Sequence, residues 1–120
     1  MVLIDSSVLI NFFNDIADPK VDTFALLVKR GQVLSGDLIV SEVLQGFRSD
    51  KDFLLAKRLL SSFTNVSLVN RSLAIKSAEH YRYLRSRGIT VRKSFDCLIA
   101  TWCIENTIPL LHSDRDFTPF

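Results

Sequence analysis

Val2-Leu3-Ile4-Asp5-Ser6-Ser7-Val8-Leu9-Ile10-Asn11-Phe12-Phe13 sets an unbroken apolar run, then an acid, then two hydroxyl residues ahead of a second apolar series. A continuous run as short as Val2 to Ile4 predicts a buried parallel strand, because strands covered on both faces lose the alternation of half-exposed ones. Asp5 then stands at the strand's carboxyl end. Ser6 or Ser7 is expected to cap a helix carrying Val8, Leu9, Phe12 and Phe13, and Asp18-Pro19 to break it.

The same alternation continues along the chain. Val21, Phe24, Ala25 and Val28 have helical spacing, with Gly31 as the stop. Gln32 to Ser35 reads as a short strand, and Leu38 to Phe47 as a helix carrying Glu42. Asp52 to Phe63 is helical by composition, with Phe53, Ala56, Leu59, Leu60 and Phe63 on one side. Val66 to Val69 is expected to be a strand, Asn70 to cap a helix running to about Arg87, and Gly88 to close it. A further helix starts near Lys93, and Pro109 to His112 is a last strand. Strands alternating with helices predict an α/β fold, a three-layer α/β/α sandwich around a short, mostly parallel sheet.

The chain has 120 residues and is 48% hydrophobic, which predicts a single domain over residues 1–120 with a real core. The formal net charge of +2 hides an uneven distribution. From His80 to Phe95 there is no acid, while Arg82, Arg85, Arg87, Arg92 and Lys93 are basic, so a local basic face is expected. Cys97 and Cys103 lie about 240° apart around one helix at ~100° per residue, which forbids a bridge between them. With no signal-peptide pattern and no apolar run near ~18 residues, no membrane segment is expected, and a reducing cytoplasm is the default location.

Four acids fall where hydrophobic elements begin or end. Asp5 and Asp114 follow strands, Asp96 lies in the first turn of a helix, and Glu42 is hemmed in by Leu38-Ile39-Val40 and Val43-Leu44. In open parallel sheets the crevice lies beyond the carboxyl ends of the strands. Singly, each acid has an ordinary reading: at a helix start the dipole stabilises it by about 0.3–1 kcal/mol. Crowded at one rim, however, carboxylates repel each other unless a cation neutralises them, and oxygen-only ligands select Mg²⁺ or Mn²⁺. His80, His112, Cys97 and Cys103 lack zinc spacing. Asp114 and Asp116 begin like a calcium loop, but Phe117-Thr118-Pro119 lacks its glycine and distal glutamate. GxGxxG, GxxxxGK[ST] and GxSxG are all absent, and Asp5 has no second acid two residues on, which argues against nucleotide cradles, serine hydrolases and aspartyl phosphatases.

Val2 to Asn11, Ser41-Glu42-Val43-Leu44-Gln45-Gly46, Ser94 to Ala100 and His112-Ser113-Asp114-Arg115-Asp116-Phe117 resemble, in order and spacing, the four acidic motifs of PIN-domain ribonucleases. Within that family the chain looks most like a VapC-type toxin of a toxin–antitoxin pair. The resemblance implies a PIN fold and Mg²⁺- or Mn²⁺-dependent endoribonuclease activity, with Asp5, Glu42, Asp96 and Asp114 as catalytic, metal-binding acids and Asp116 as an accessory ligand. It implies that Ser6 and Ser113 lie at the substrate, and it adds a homodimer and a VapB-type antitoxin. Such toxins usually continue past the last motif into another strand, which residues 1–120 lack. Arg85, Arg87, Arg92 and Lys93 are expected to attract the RNA backbone. The alternative reading is a catalytically idle PIN-fold dimer that holds an antitoxin helix, its nine phenylalanines lining a hydrophobic groove; a DNA-directed nuclease using the same acids is another.

Overall fold

The apolar run at the amino terminus forms β1 (Val2–Ile4), whose Leu3 and Ile4 are completely buried. The computed structural model describes residues 1–114 and 117–120. Asp116, expected to be an accessory acid, and Arg115 lie outside the described residues.

After β1 come α1 (Ser6–Phe13), α2 (Pro19–Lys29), β2 (Val33–Gly36), α3 (Asp37–Leu44), α4 (Asp50–Ser61), β3 (Thr64–Val66), α5 (Arg71–Ser86), α6 (Ser94–Asn106) and β4 (Leu110–Leu111). The four strands form one parallel sheet in the order β3-β2-β1-β4. Its register pairs Val2 with Val33, Leu3 with both Leu34 and Leu110, and Leu34 with Thr64. The α/β class expected from strand and helix alternation is the class observed.

Two units make up the described chain: Met1–Ser67 with Pro109–Ser113, and Leu68–Ile108 with Asp114–Phe120. The first holds the whole sheet and α1 to α4. Phe24, Ile39, Val43, Ala56 and Leu60 are buried in this unit. An aromatic series links its helices: Phe47 meets Phe13, Phe13 meets Phe12, Phe12 meets Phe24, and Phe24 meets Phe63. All four contacts are edge-to-face, with ring centroids 5.2–6.0 Å apart. In that geometry the positive edge of one ring meets the negative face of the next. The second unit pairs α5 with α6, joined by an ion pair of 2.9 Å between Lys76 and Glu105. Leu84, Val91 and Cys97 form a small core there, with Tyr81 and Phe120 packed on it.

Local chemistry accounts for most boundaries. Asn70 caps α5 by accepting from the Leu73 amide at 2.9 Å, and Ser49 caps α4. Gly31 and Gly88, with φ of +63° and +77°, take the left-handed turns after α2 and α5 that side chains disfavour.

Some expectations need correction. Asp5 caps α1, rather than Ser6 or Ser7. Pro19, expected only to break a helix, begins α2 at the position where its missing N–H costs nothing, and Asp18 caps it. The strand expected at Val66–Val69 is β3 at Thr64–Val66. Thr64 and Asn65 are exposed on this edge strand, so backbone pairing with β2 defines it where apolar residues do not.

Phe24 is 1% exposed and occupies the middle of the aromatic series. Phe24→Ala is expected to cost about 3–5 kcal/mol in urea unfolding; a decrease under about 1 kcal/mol would show that the rings do not pack as described.

Candidate active site

Asp5 leaves the carboxyl end of β1 only 2% exposed. A charge at such a place needs donors. Ser7 supplies two to the same oxygen of Asp5, Oδ2: its amide at 3.1 Å and its hydroxyl at 2.6 Å. The positive end of α1 favours the same carboxylate. The Asp5 amide meanwhile donates to the Leu111 carbonyl at 2.9 Å, which ties the end of β1 to β4.

The sheet order sets β2 and β3 on one side of β1 and β4 on the other, so the strand order reverses at β1. Such a switch point is where an open α/β sheet forms its crevice. The polar groups of the first unit meet there. The Ser113 amide donates to Ser7 Oγ at 2.9 Å, across 106 positions of sequence. Ser113 Oγ donates to Asp18 Oδ2, which also accepts from Asn11 Nδ2 at 3.1 Å. Beside Asp5, Ser6 Oγ donates to Glu42 Oε2 at 3.4 Å. Glu42, whose helix face the sequence left open, is therefore turned toward the residue next to Asp5.

Asp96 and Asp114 belong to the second unit. Asp96 lies in the first turn of α6 and is 3% exposed. The next residue, Cys97, donates its thiol to the Ser77 carbonyl at 3.2 Å. One turn on, Thr101 donates to the Cys97 carbonyl at 2.7 Å, and its Oγ1 lies 3.0 Å from His80 Nδ1. Both cysteines are free and buried. Asp114 is half-buried and follows Ser113 in the chain, its carbonyl accepting from the Phe117 amide. Arg85, Arg87, Arg92 and Lys93 are exposed.

Among the described residues no three His, Cys, Asp or Glu side chains stand together as ligands of one ion. The donor chemistry of the first unit nevertheless fits a hard cation: a buried carboxylate, a second carboxylate that accepts from the neighbouring serine, and serine hydroxyls beside both.

A PIN-domain family model matches residues 2–119, nearly the whole chain. The chain belongs to the PIN-domain family. It is 29% identical over 119 residues to a VapC ribonuclease of Mycobacterium bovis and, to the same extent, to Ribonuclease VapC11 of Mycobacterium tuberculosis, covering 98% of this chain and 89% of each relative. A solved structure of VapBC2 from Rickettsia felis, bound to a DNA fragment from its promoter, matches with a TM-score of 0.79 and 16% identity over all of this chain and 93% of that one. That likeness concerns the fold. The PIN motifs quoted from the sequence accordingly fall on the end of β1, on α3, on the start of α6 and just after β4.

Sequence reading missed Asp18 as part of this network. An Asp-Pro pair announces a helix start, but nothing local announces a partner 95 residues away. The Ser113 hydroxyl first, then the Lys20 amide and the Asn11 side chain, hold the Asp18 carboxyl below its ordinary pKa. A depressed carboxyl pKa contributes stability that is complete above the unfolded value near ~4 and is lost as pH falls through the folded value. Ser113→Ala is therefore expected to lower stability most in the neutral region and to make it less steeply pH-dependent below about pH 4, so that the two profiles converge in acid. Urea midpoints from pH 2 to pH 7 check this, and parallel profiles for variant and wild type would remove Ser113 as the cause.

Proposed function

We propose that this PIN domain is the toxin of a VapBC-type toxin–antitoxin pair, an endoribonuclease that hydrolyses RNA phosphodiester bonds with Mg²⁺ or Mn²⁺. The observation that carries the proposal is near-full-length similarity to VapC ribonucleases joined to a buried, donor-fixed Asp5 at the crevice of the sheet. Asp5, Glu42, Asp96 and Asp114 are the acids assigned to the ion, with Asp116 as accessory. When bound, the ion supplies Lewis acidity toward the phosphodiester.

The residues of this chain do the positioning. Ser7 fixes one rotamer of Asp5 through two hydrogen bonds to Oδ2, and Ser6 orients Glu42. Ser113 holds the end of β4 against Ser7. Rigid second contacts of this kind keep ligand atoms in place, and removing them elsewhere costs roughly 10–100-fold in metal affinity or activity. Ser6 and Ser113 remain assigned to the substrate side of the site. Arg85, Arg87, Arg92 and Lys93 are assigned to the RNA backbone, with a salt-dependent affinity.

A VapB-type antitoxin and a second copy of the chain complete the proposed assembly, in the cytoplasm. No helix among the described residues is long and apolar enough to cross a membrane.

Asp5→Asn and Asp96→Asn each remove one charge at constant shape, and at position 5 asparagine caps α1 as well as aspartate does. Both are expected to keep the wild-type melting profile and to lower Mg²⁺- or Mn²⁺-dependent RNA cleavage by more than about 100-fold, beyond what outer contacts contribute. Gel analysis of tRNA and mRNA with metal or with EDTA reads this out. Intact RNA with metal-loaded wild type would favour the idle antitoxin-binding dimer, and cleavage of DNA alone the DNA-directed nuclease.

A further inference from the structure

A pocket of about 340 Å³ lies between α5 and the first turns of α6, wholly inside the second unit. That volume is within the range of small-ligand sites, roughly 300–1,000 Å³. Ala74, Ala78, Cys97 and Leu98 give it an apolar lining. Arg82 and Arg85 border it together with Tyr81. Among the described residues no Asp or Glu lines it, although Glu79 shares α5 with the lining residues.

The arginines are placed differently. Arg82 is exposed, whereas the Arg85 guanidinium lies 5.7 Å from the centroid of the Tyr81 ring. A guanidinium against an aromatic ring keeps its fork of donors for a planar or phosphate-like acceptor, and the stacking limits its rotamers. Tyr81 is itself anchored on the small core of Leu84, Val91 and Cys97. The result is a ring anchored on the small core with one guanidinium over it, beside a second cation and an apolar floor. Ser94, also on the lining, precedes the buried Asp96 by two residues on the same helix.

We propose that this pocket is a nucleotide subsite, taking one unit of single-stranded RNA with its phosphate on Arg82 and Arg85 and its base or ribose against Tyr81 and the apolar floor. The assignment rests on the ribonuclease reading for its substrate class. Charge complementarity selects the occupant: two cations, with no acid among the described lining residues, suit a phosphodiester. An aromatic ring beside an apolar floor suits a stacked base, which single strands present and duplexes do not. Position agrees with this, since the pocket begins two residues before an acid of the cleavage motif. The subsite would fix which nucleotide lies next to the bond that is cut, so specificity would reside in α5 as well as in the acids.

The test is anisotropy of a fluorescein-labelled single-stranded RNA on the full chain in EDTA, where cleavage is off. Arg82→Ala/Arg85→Ala is expected to weaken binding at least tenfold and to lower the slope of log K against log salt by about 0.7 for each phosphate that is no longer neutralised. Tyr81→Ala should weaken binding about 5- to 150-fold, and Tyr81→Phe by less than about twofold, because the stacking face is kept. Lys57→Ala on α4 is the charge control and should bind as wild type. Both arginines are exposed, so the double variant should retain its melting temperature. Wild-type affinity and salt slope in the double variant would overturn the subsite, as would an equal weakening in Lys57→Ala. An acidic protein segment or a second copy of the chain as true occupant would give that wild-type result. Metal-dependent cleavage by the wild type is scored separately, so failure of the subsite leaves the ribonuclease proposal standing, and failure of cleavage is visible whatever the binding data.

Discussion

A carboxylate held out of water at the end of a buried strand is the constraint from which the first unit is arranged. Asp5 is 2% exposed, and an isolated charge there would be strongly unfavourable. Its donors are local: two from Ser7 and the dipole of the helix that Asp5 itself caps. The same serine hydroxyl accepts from Ser113, so the group that stabilises the charge also fixes the carboxyl end of β4. Charge, cap and strand register are one arrangement, and Glu42 joins it through Ser6.

The second unit repeats the theme with other parts. Asp96 is buried in the first turn of a helix whose Cys97, Ile99, Ala100, Thr101, Trp102 and Cys103 are buried as well. A helix covered on so many sides can keep polar groups only where they are bonded, and the Cys97 thiol and Thr101 hydroxyl are both satisfied by backbone carbonyls. Around it α5 presents arginines outward, the Arg85 guanidinium lying 5.7 Å from the centroid of the Tyr81 ring. Asp96 inside and these arginines outside form a division suited to the approach of a polyanion.

Much of this was legible in the residues. The run Val2 to Ile4 announced a buried strand, Asn70 a cap, and Gly31 and Gly88 helix ends, because each depends on chemistry within a few positions. The acids at the edges of apolar elements were legible for the same reason. Long-range and backbone effects were not. β3 exists by pairing with β2, and its exposed Thr64 and Asn65 carry no hydrophobic signal. Thr107 ends α6 in a left-handed conformation with φ of +52° that a sequence reader would reserve for glycine. The bond from Ser113 to Asp18 joins two segments that only the completed sheet brings together.

The role proposed for these acids is to hold a hard divalent ion. Thermal unfolding of the purified chain with increasing Mn²⁺ addresses it without substrate, because a ligand that binds the native state alone raises the midpoint with concentration. The midpoint is expected to climb with Mn²⁺ in the wild type and to stay level in Asp5→Asn. A wild-type midpoint indifferent to Mn²⁺, or an equal climb in the variant, would contradict that role.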